Sequence, residues 1–381
     1  MRGLARALGV LGALLVITVL AIWMRFGGGS RLPDRTGTPV LASSALEVVA
    51  DLDYPPGNVA VSRTGRIFLT LHPDGTPPMQ VVELVDGLPQ PYPDATFQRS
   101  GSGSLRFRTP LALRIDRRDR LWVIDHADYG WGQPRIVAFD LATGELVHRY
   151  DFPSDVAGFL SMLNDLQVSP AGDRIYIAEA SPIAQTPAII VYDPLRQTSR
   201  RLLDGHPSVM PMDYVLNAGG RDMVLFGIYT LRIGVDSIAL DSEGEWLYYG
   251  PVNGDRLFRI ATRDLDDTSL DAVTLAARVQ DFGPKTASDG LTMDLAGNVY
   301  ITDPEHSAVL RLGQDRALET LLEDPLLLRW PDGFGFGPDG WLYVTCSALQ
   351  HVILRSAAHQ RAQAPYQVFR FKPGASGVPG H

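Results

Sequence analysis

The sequence predicts an all-β protein, a six-bladed β-propeller preceded by an N-terminal transmembrane helix. Three observations carry that prediction. First, "TASDGLTMDLAGNVYITD" from Thr286 and "WPDGFGFGPDGWLYVTC" from Trp330 share one grammar: an alternating apolar strand, a tight turn, then an aromatic-rich strand. Second, the grammar occurs six times, opening at Gly57, Leu111, Asn164, Asp236, Asp289 and Asp332, with turn anchors Ser62, Asp116, Ser169, Asp241, Asp294 and Gly337 at intervals of 43 to 72 residues. Short alternating strands at a long, recurring period are the pattern of radially stacked blades. Third, helical periodicity is confined to the first 25 residues, which argues against βαβ units. A doubled sandwich would not explain six aligned turns.

Taken in order along the chain, the first element is "ALGVLGALLVITVLAIWM", an uncharged run from Ala7 to Met24 behind Arg2 and Arg6. Its 18 residues exceed a usual signal-peptide core and reach membrane-spanning length. Residues 1–25 are therefore expected to be a signal anchor that leaves the bulk of the protein in the periplasm, attached to the inner membrane. The alternative is a cleaved signal peptide and a secreted protein. Residues 26–44, with "GGGS" near their start, read as a linker. The propeller is expected over 45–375, with Ala45–Leu52 supplying the outer strand of the sixth blade and closing the ring. Residues 376–381 are expected to be a flexible tail.

Composition narrows the partners. The 381 residues carry a net charge of −9, which argues against a nucleic acid and leaves a small-molecule ligand, with the membrane reached through the N-terminal helix. One cysteine, Cys346, excludes an internal disulfide framework. No Walker, G-x-S-x-G, H-E-x-x-H or paired C-x-x-C sequence occurs, so neither a nucleotide nor a flavin is expected.

Two kinds of aspartate separate on position. Asp116, Asp241 and Asp294 stand in the turn after the inner strand, where an aspartate caps its own backbone. The residues that open each inner strand converge instead on the axis of the ring: Gly57–Asn58, Leu111, Asn164–Asp165, Asp236, Asp289 and Asp332. Like charges meeting there need a proton or a cation to offset them. Asn164, Asp236, Asp289 and Asp332 are oxygen ligands suited to Ca²⁺ or another divalent cation. Lys285, one of only two lysines, lies four residues before Asp289 and is the alternative counter-charge. Loops that reach the same face carry His72, Asp125, His126, Asp128, Trp131, Glu179, Asn253, Asp303, His306 and Cys346. Of these, His126, Asp128, Trp131, Glu179, Asn253, Asp303 and His306 form the expected substrate-binding wall, and Asp289, Asp332, Lys285 and His126 are the candidates for catalysis.

The runs "PLALRIDRRDRLWVID…PRIVAFDLATGEL", "LNDLQVSP…RIYIAEAS…IIVYD", "GGRDMVLFGIYTLRIGVDSIALDSEGEWLYYGPVNGDRLFRIAT" and "GPKTASDGLTMDLAGNVYIT" resemble the major royal jelly protein/yellow family, in its bacterial form. The resemblance covers roughly residues 105–345. It implies a six-bladed propeller and, more loosely, binding of amines or other small molecules, or an isomerase activity of the dopachrome-tautomerase kind. A more distant similarity is to the regucalcin/gluconolactonase propellers, which hydrolyse lactones with a divalent metal. There an Asn opening a middle blade and an Asp opening a later one are ligands, parts that fall here to Asn164 and to Asp289 or Asp332. That family's first-blade Glu is absent: Gly57–Asn58 stand at its place.

Overall fold

The computed structural model describes residues 2–381. Six four-stranded antiparallel sheets surround a central axis. Their inner strands are Pro56–Val61, Pro110–Ile115, Leu163–Val168, Val235–Leu240, Leu291–Met293 and Pro331–Phe336, and each is followed outward by its blade's next strands in chain order. Blade 6 is the exception that closes the ring. Its outermost strand is Glu47–Leu52 from the other end of the domain, paired with Tyr366–Phe371 from Glu47↔Arg370 to Leu52↔Tyr366. The expected closure is therefore present, and it leaves no broken edge at the seam. Truncation at residue 54 is expected to reduce blade 6 to three strands and expose that edge. The form 54–381 should melt well below 41–381 in a thermal scan; equal melting temperatures would mean that the closing strand adds nothing to stability.

Apolar side chains of adjacent blades pack face to face. Between blades 2 and 3, for example, Trp122, Ile136, Phe152, Leu166, Ile177 and Tyr192 form one buried cluster. On the base of the ring the turn aspartates bind their own backbone as expected. Asp116 Oδ1 accepts from the amides of Arg118 (2.9 Å) and Arg120 (3.0 Å), and its Oδ2 accepts from Trp122 Nε1 at 2.8 Å. Asp294 repeats the pattern with Ala296, Asn298 and the Tyr300 hydroxyl. An aromatic donor on the second strand thus locks the turn that precedes it.

Two segments depart from expectation, and a third fills out a long interval. Residues 376–381 are not a free tail but lie across the base. The amide of Ile115 donates to Gly380 O (3.0 Å), that of Phe336 to His381 O (2.7 Å) and that of Leu295 to Ser376 O (2.8 Å). His381 Nδ1 is 2.9 Å from Gln167 Oε1. Backbone pairing needs no side-chain pattern, so a Gly- and Pro-rich sequence conceals it. The linker is also docked: Val40 and Leu41 donate to Thr320 O and Leu321 O, and Leu32 is buried. Finally, the long interval before Asp236 holds two small hairpins, Asn217–Ala218 with Arg221–Asp222 and Val224–Leu225 with Tyr229–Thr230, which fold over the face opposite the tail. Short helices Thr262–Asp266, Ala272–Ala276 and Ala357–Ala362 lie outside the blade strands.

The N-terminal helix spans Arg2–Phe26, and its Arg6–Phe26 portion is long and apolar enough to cross a membrane.

Candidate functional site

The axial residues owe their placement to one recurring irregularity. In blade 1 the ladder runs from Pro56↔Leu71 to Val59↔Leu69, three steps on the inner strand against two on its partner. The same one-residue excess opens the inner strands of blades 2, 3, 4 and 6. A bulge re-aims side chains and frees a backbone amide that needs another acceptor. A threonine on the second strand supplies it in blades 1 and 6, where Asn58 N donates to Thr70 Oγ1 at 2.9 Å and Gly333 N to Thr345 Oγ1 at 2.9 Å; in blade 5, whose ladder has no such excess, Gly290 N donates to Thr302 Oγ1 at 2.7 Å in the same way. Thr70 in turn donates to Leu111 O of the next blade (2.6 Å), and Thr345 to Gly57 O (2.5 Å), stitching neighbours at the axis. Glycine at 290 and 333 is required by proximity. A Cβ at 290 would sit 1.8 Å from Asp332 O, and one at 333 would sit 2.8 Å from Asn58 Cα.

The bulges deliver two tiers of side chains to a cavity of about 230 Å³. The inner tier is an ion pair. Arg114, fully buried, reaches from the blade 2 inner strand to Asp165 (3.0 Å) and to Asn58 Oδ1. Asp165 also accepts from the amides of Leu166 (2.8 Å) and Ile238 (3.3 Å). Burial pushes the Asp165 carboxyl up, and the guanidinium opposes that shift. Arg114 thus forms the charged floor of the cavity, a part that was not expected from the sequence.

The outer tier is Asn164, Asp236, Asp289 and Asp332, which all line the cavity. The Asn164 amide donates to Asp236, and Trp330 Nε1 donates to Asp289 Oδ2 at 2.5 Å. Trp330 holds a left-handed φ of 54° to do so, a conformation that costs an ordinary residue about 1–3 kcal/mol. None of the three aspartates has an ion-pair partner among the described residues. Burial, then the facing Asp289 carboxylate, holds both Asp236 and Asp332 well above the usual carboxylate range. Lys285 does not neutralise them by contact. It is buried between blades 4 and 5, where Nζ donates to Gly254 O (2.8 Å) and Thr286 O (2.9 Å), and burial lowers its pKa to about 7.

The rest of the cavity wall is mostly apolar: Met162, Ile183, Leu225, Leu231, Leu349 and Ile353 surround its mouth. His126 and Tyr129 join them from a loop in which four consecutive residues, Ala127 to Gly130, have φ between 53° and 69°. That left-handed turn is pinned from inside. Thr109 Oγ1 accepts the Asp128 amide (2.7 Å) and His126 Nδ1 accepts the Tyr129 amide (2.8 Å). With Nδ1 accepting, the neutral ring carries its proton on Nε2, which is buried and has no partner among the described residues. Burial lowers the His126 pKa to about 3, so the ring stays neutral across the physiological range.

The other loop residues expected in the binding wall do not meet at the cavity. Asp128 pairs outside it with Arg99 (2.7 Å) and Arg108 (2.6 Å), and Trp131 is 74 % exposed against Phe159. Glu179 pairs with Arg201. Asn253 is spent on backbone, accepting from Ile233 N (2.8 Å) and donating to Tyr214 O and Leu231 O. Asp303 accepts from the amides of Glu305 and His306 and from His306 Nδ1 at 2.8 Å, which raises the His306 pKa to about 9. Asp125 binds the amides of Arg108, Thr109 and Ala127. Cys346 is buried and its thiol pushed up, so it is inert. His72 does line the cavity, together with Asp74.

A metal was expected at Asn164, Asp236, Asp289 and Asp332. The chemistry of the set fits a hard cation, with three carboxylates and an amide lacking a counter-charge. Among the described residues, however, no three His, Cys, Asp or Glu side chains are already gathered at coordinating distance. A cation would have to draw the outer tier together.

Fold and site together define a closed six-bladed propeller whose axial cavity, acidic within and apolar at the mouth, lies on the face opposite its tail. The chain belongs to the major royal jelly protein family, whose sequence model matches residues 109–334. It is 30% identical to major royal jelly protein 1 of Apis mellifera over 217 residues, 52% of this chain and 48% of that protein. It is 32% identical to protein yellow of Drosophila subobscura over 127 residues, 28% and 22% of the two chains. The chain spans about half the length of the royal jelly relatives it matches, or less. Among solved structures, a gluconolactonase from Xanthomonas campestris superposes with a TM-score of 0.54 at 15% identity, over 86% of this chain and 89% of that one. A calcium-binding regucalcin from Agrobacterium tumefaciens gives 0.54 at 18%, over 88% and 94%. These two likenesses establish the shared fold.

Proposed function

We propose that this protein is an exported, membrane-anchored propeller that binds a small amphipathic organic cation in its axial cavity. The observation that carries the reading is three cavity carboxylates without a counter-ion beneath an apolar mouth. An ammonium on Asp236, Asp289 and Asp332 supplies the missing charge, while the apolar body of the ligand lies against Leu225, Ile353 and Met162. Tyr129 and the unpartnered His126 Nε2–H supply polar contacts at the side. An isomerase activity of the dopachrome kind is consistent with the same parts. A carboxyl with a raised pKa can give a proton at one atom of a bound ring and another carboxylate take one elsewhere.

Calorimetric titration with tyramine as probe tests the binding. Asp289→Asn is expected to weaken it about tenfold or more, since a hydrogen bond to a charged group contributes roughly 1.5–3 kcal/mol. Unchanged affinity would remove the outer tier from the site.

A second reading places a divalent cation on the same residues and makes the protein a lactonase, in line with its structural likeness to the Xanthomonas campestris gluconolactonase. It is favoured by the oxygen-only character of Asn164, Asp236, Asp289 and Asp332. A bound cation there would polarise a lactone carbonyl. Titration with CaCl₂ alone separates the readings: calcium binding without tyramine binding selects the second.

The raised carboxyl pKa values also make a stability prediction. A carboxyl whose folded pKa lies above its unfolded one keeps its proton in the folded state, so stability falls as pH rises from the unfolded carboxylate range towards the raised folded value. Without ligand, Asp236→Asn is therefore expected to melt higher than the wild type at pH 7, with the difference shrinking below about pH 4, the unfolded carboxylate range. A variant that melts lower at pH 7 would show that Asp236 is compensated in a way the outer tier does not reveal.

A further inference from the structure

The cavity mouth and the N-terminal helix meet. The Phe26 ring, at the end of the apolar helix, lies 5.3 Å from the ring of Tyr229, which lines the cavity. No slack chain separates them. Arg232 donates to Phe26 O (3.1 Å) and to Gly28 O (3.1 Å), Thr230 Oγ1 donates to Gly28 O (2.8 Å), and Ser30 exchanges backbone hydrogen bonds with Asp213 and Val215 at 2.9 Å. The "GGGS" expected to be a loose tether is thus fastened to the insertion that covers the axial face. A bilayer holding the helix must begin close to the mouth.

The rim of that mouth carries apolar side chains that none of the described residues covers. Phe226, next to cavity-lining Leu225, is 81 % exposed, and Leu354 and Ile183, both lining the cavity, are 55 % and 50 % exposed. They come from three separate segments of the chain, the hairpin insertion, blade 6 and blade 3. Trp131 and Phe159, packed edge to face at 4.8 Å, stand exposed on loops of the same face. Exposed aromatic and aliphatic residues clustered beside a membrane-spanning element are what the interface of a bilayer accepts. The net charge of −9 makes electrostatic adsorption a poor alternative, so the contact is an apolar one.

We infer that the axial face rests on the bilayer that holds helix Arg2–Phe26, so that the cavity opens onto the lipid–water interface and takes amphipathic molecules that partition there. The inference rests on the helix being a retained membrane anchor, and it adds an orientation that anchoring alone does not require. Amphiphiles concentrate at the interface, so such a mouth draws on the membrane-bound pool of its ligand.

Lipid quenching of site-specific labels tests it. The full chain is reconstituted in phosphatidylcholine vesicles containing brominated acyl chains, with one fluorophore on Phe226→Cys or Leu354→Cys at the mouth, or on Leu195→Cys in a base-side turn or Val273→Cys in the short base-side helix Ala272–Ala276, both also exposed. The buried native Cys346 is checked to take no label. The expected result is strong quenching at 226 and 354, at least about threefold that at 195 and 273, because acyl-chain quenchers act only on groups at the bilayer surface or below it. Equal, weak quenching at all four positions, in protein that still resists extraction by alkaline carbonate, overturns the orientation while leaving the anchor intact. Protein that washes from the vesicles with carbonate overturns the anchor and this inference with it.

Discussion

Replacing Arg114 by methionine is expected to destabilise the propeller by about 3–5 kcal/mol, the usual cost of removing one partner from a buried ion pair. Asp165 would keep its backbone donors at Leu166 and Ile238 but lose its cation, and Asn58 Oδ1 would keep only the Val59 amide of its two donors. The double variant Arg114→Met with Asp165→Leu should recover much of that loss, because an apolar pair leaves no orphaned charge. Denaturant unfolding of the two variants measures this directly. If the single variant loses less than about 1 kcal/mol, in the range of an exposed pair, the floor of the cavity is not held as described.

A second large effect is expected at Gly290. Alanine there would place its Cβ 1.8 Å from Asp332 O, a backbone atom that cannot rotate away, so blades 5 and 6 must separate. Overpacking of this kind costs about 1–3 kcal/mol or more, and it displaces Asp289 and Asp332 from each other. Gly290→Ala should therefore lower stability and tyramine affinity at once. Gly37→Ala is the control: nothing lies within 4 Å of its Cβ, and the change should stay within about 0.5 kcal/mol. Equal behaviour of the two variants in thermal melts would contradict the close approach of inner strands at the axis.

The ring was legible in the sequence because each blade repeats one alternation, and a repeat reports its register even when single strands are ambiguous. The axial acids were legible for the same reason: aligning the copies places Asn164, Asp236, Asp289 and Asp332 at one structural level. Arg114 was not, because within "LALRID" it reads as the polar member of an alternating strand. Only the convergence of blades 1, 2 and 3 shows that this polar position faces Asn58 and Asp165. A charged residue in an inner-strand copy where the others have Ala60, Gln167, Ala239, Thr292 and Gly335 was the available signal. The loop residues failed in the opposite direction. Asp303, at the end of strand Val299–Asp303, and Asn253, on a loop, stand on the correct face, yet their side chains are consumed in holding backbone amides and carbonyls, a role that composition cannot separate from ligand binding. Tyr129 escaped notice because its placement depends on a left-handed turn that three non-glycine residues share.

On the proposed reading the axial carboxylates receive the positive charge of the ligand. Asp236 and Asp332 have raised pKa values because burial and repulsion from their neighbours act without a counter-ion, so a cation that enters must lower them and expel protons. Calorimetric titration of the intact protein with tyramine at pH 6, repeated in buffers of different ionisation enthalpy, counts those protons. Net release on binding is predicted, reduced in Asp236→Asn. Binding with no proton exchange, the same in wild type and variant, would contradict a site built on unpaired acids.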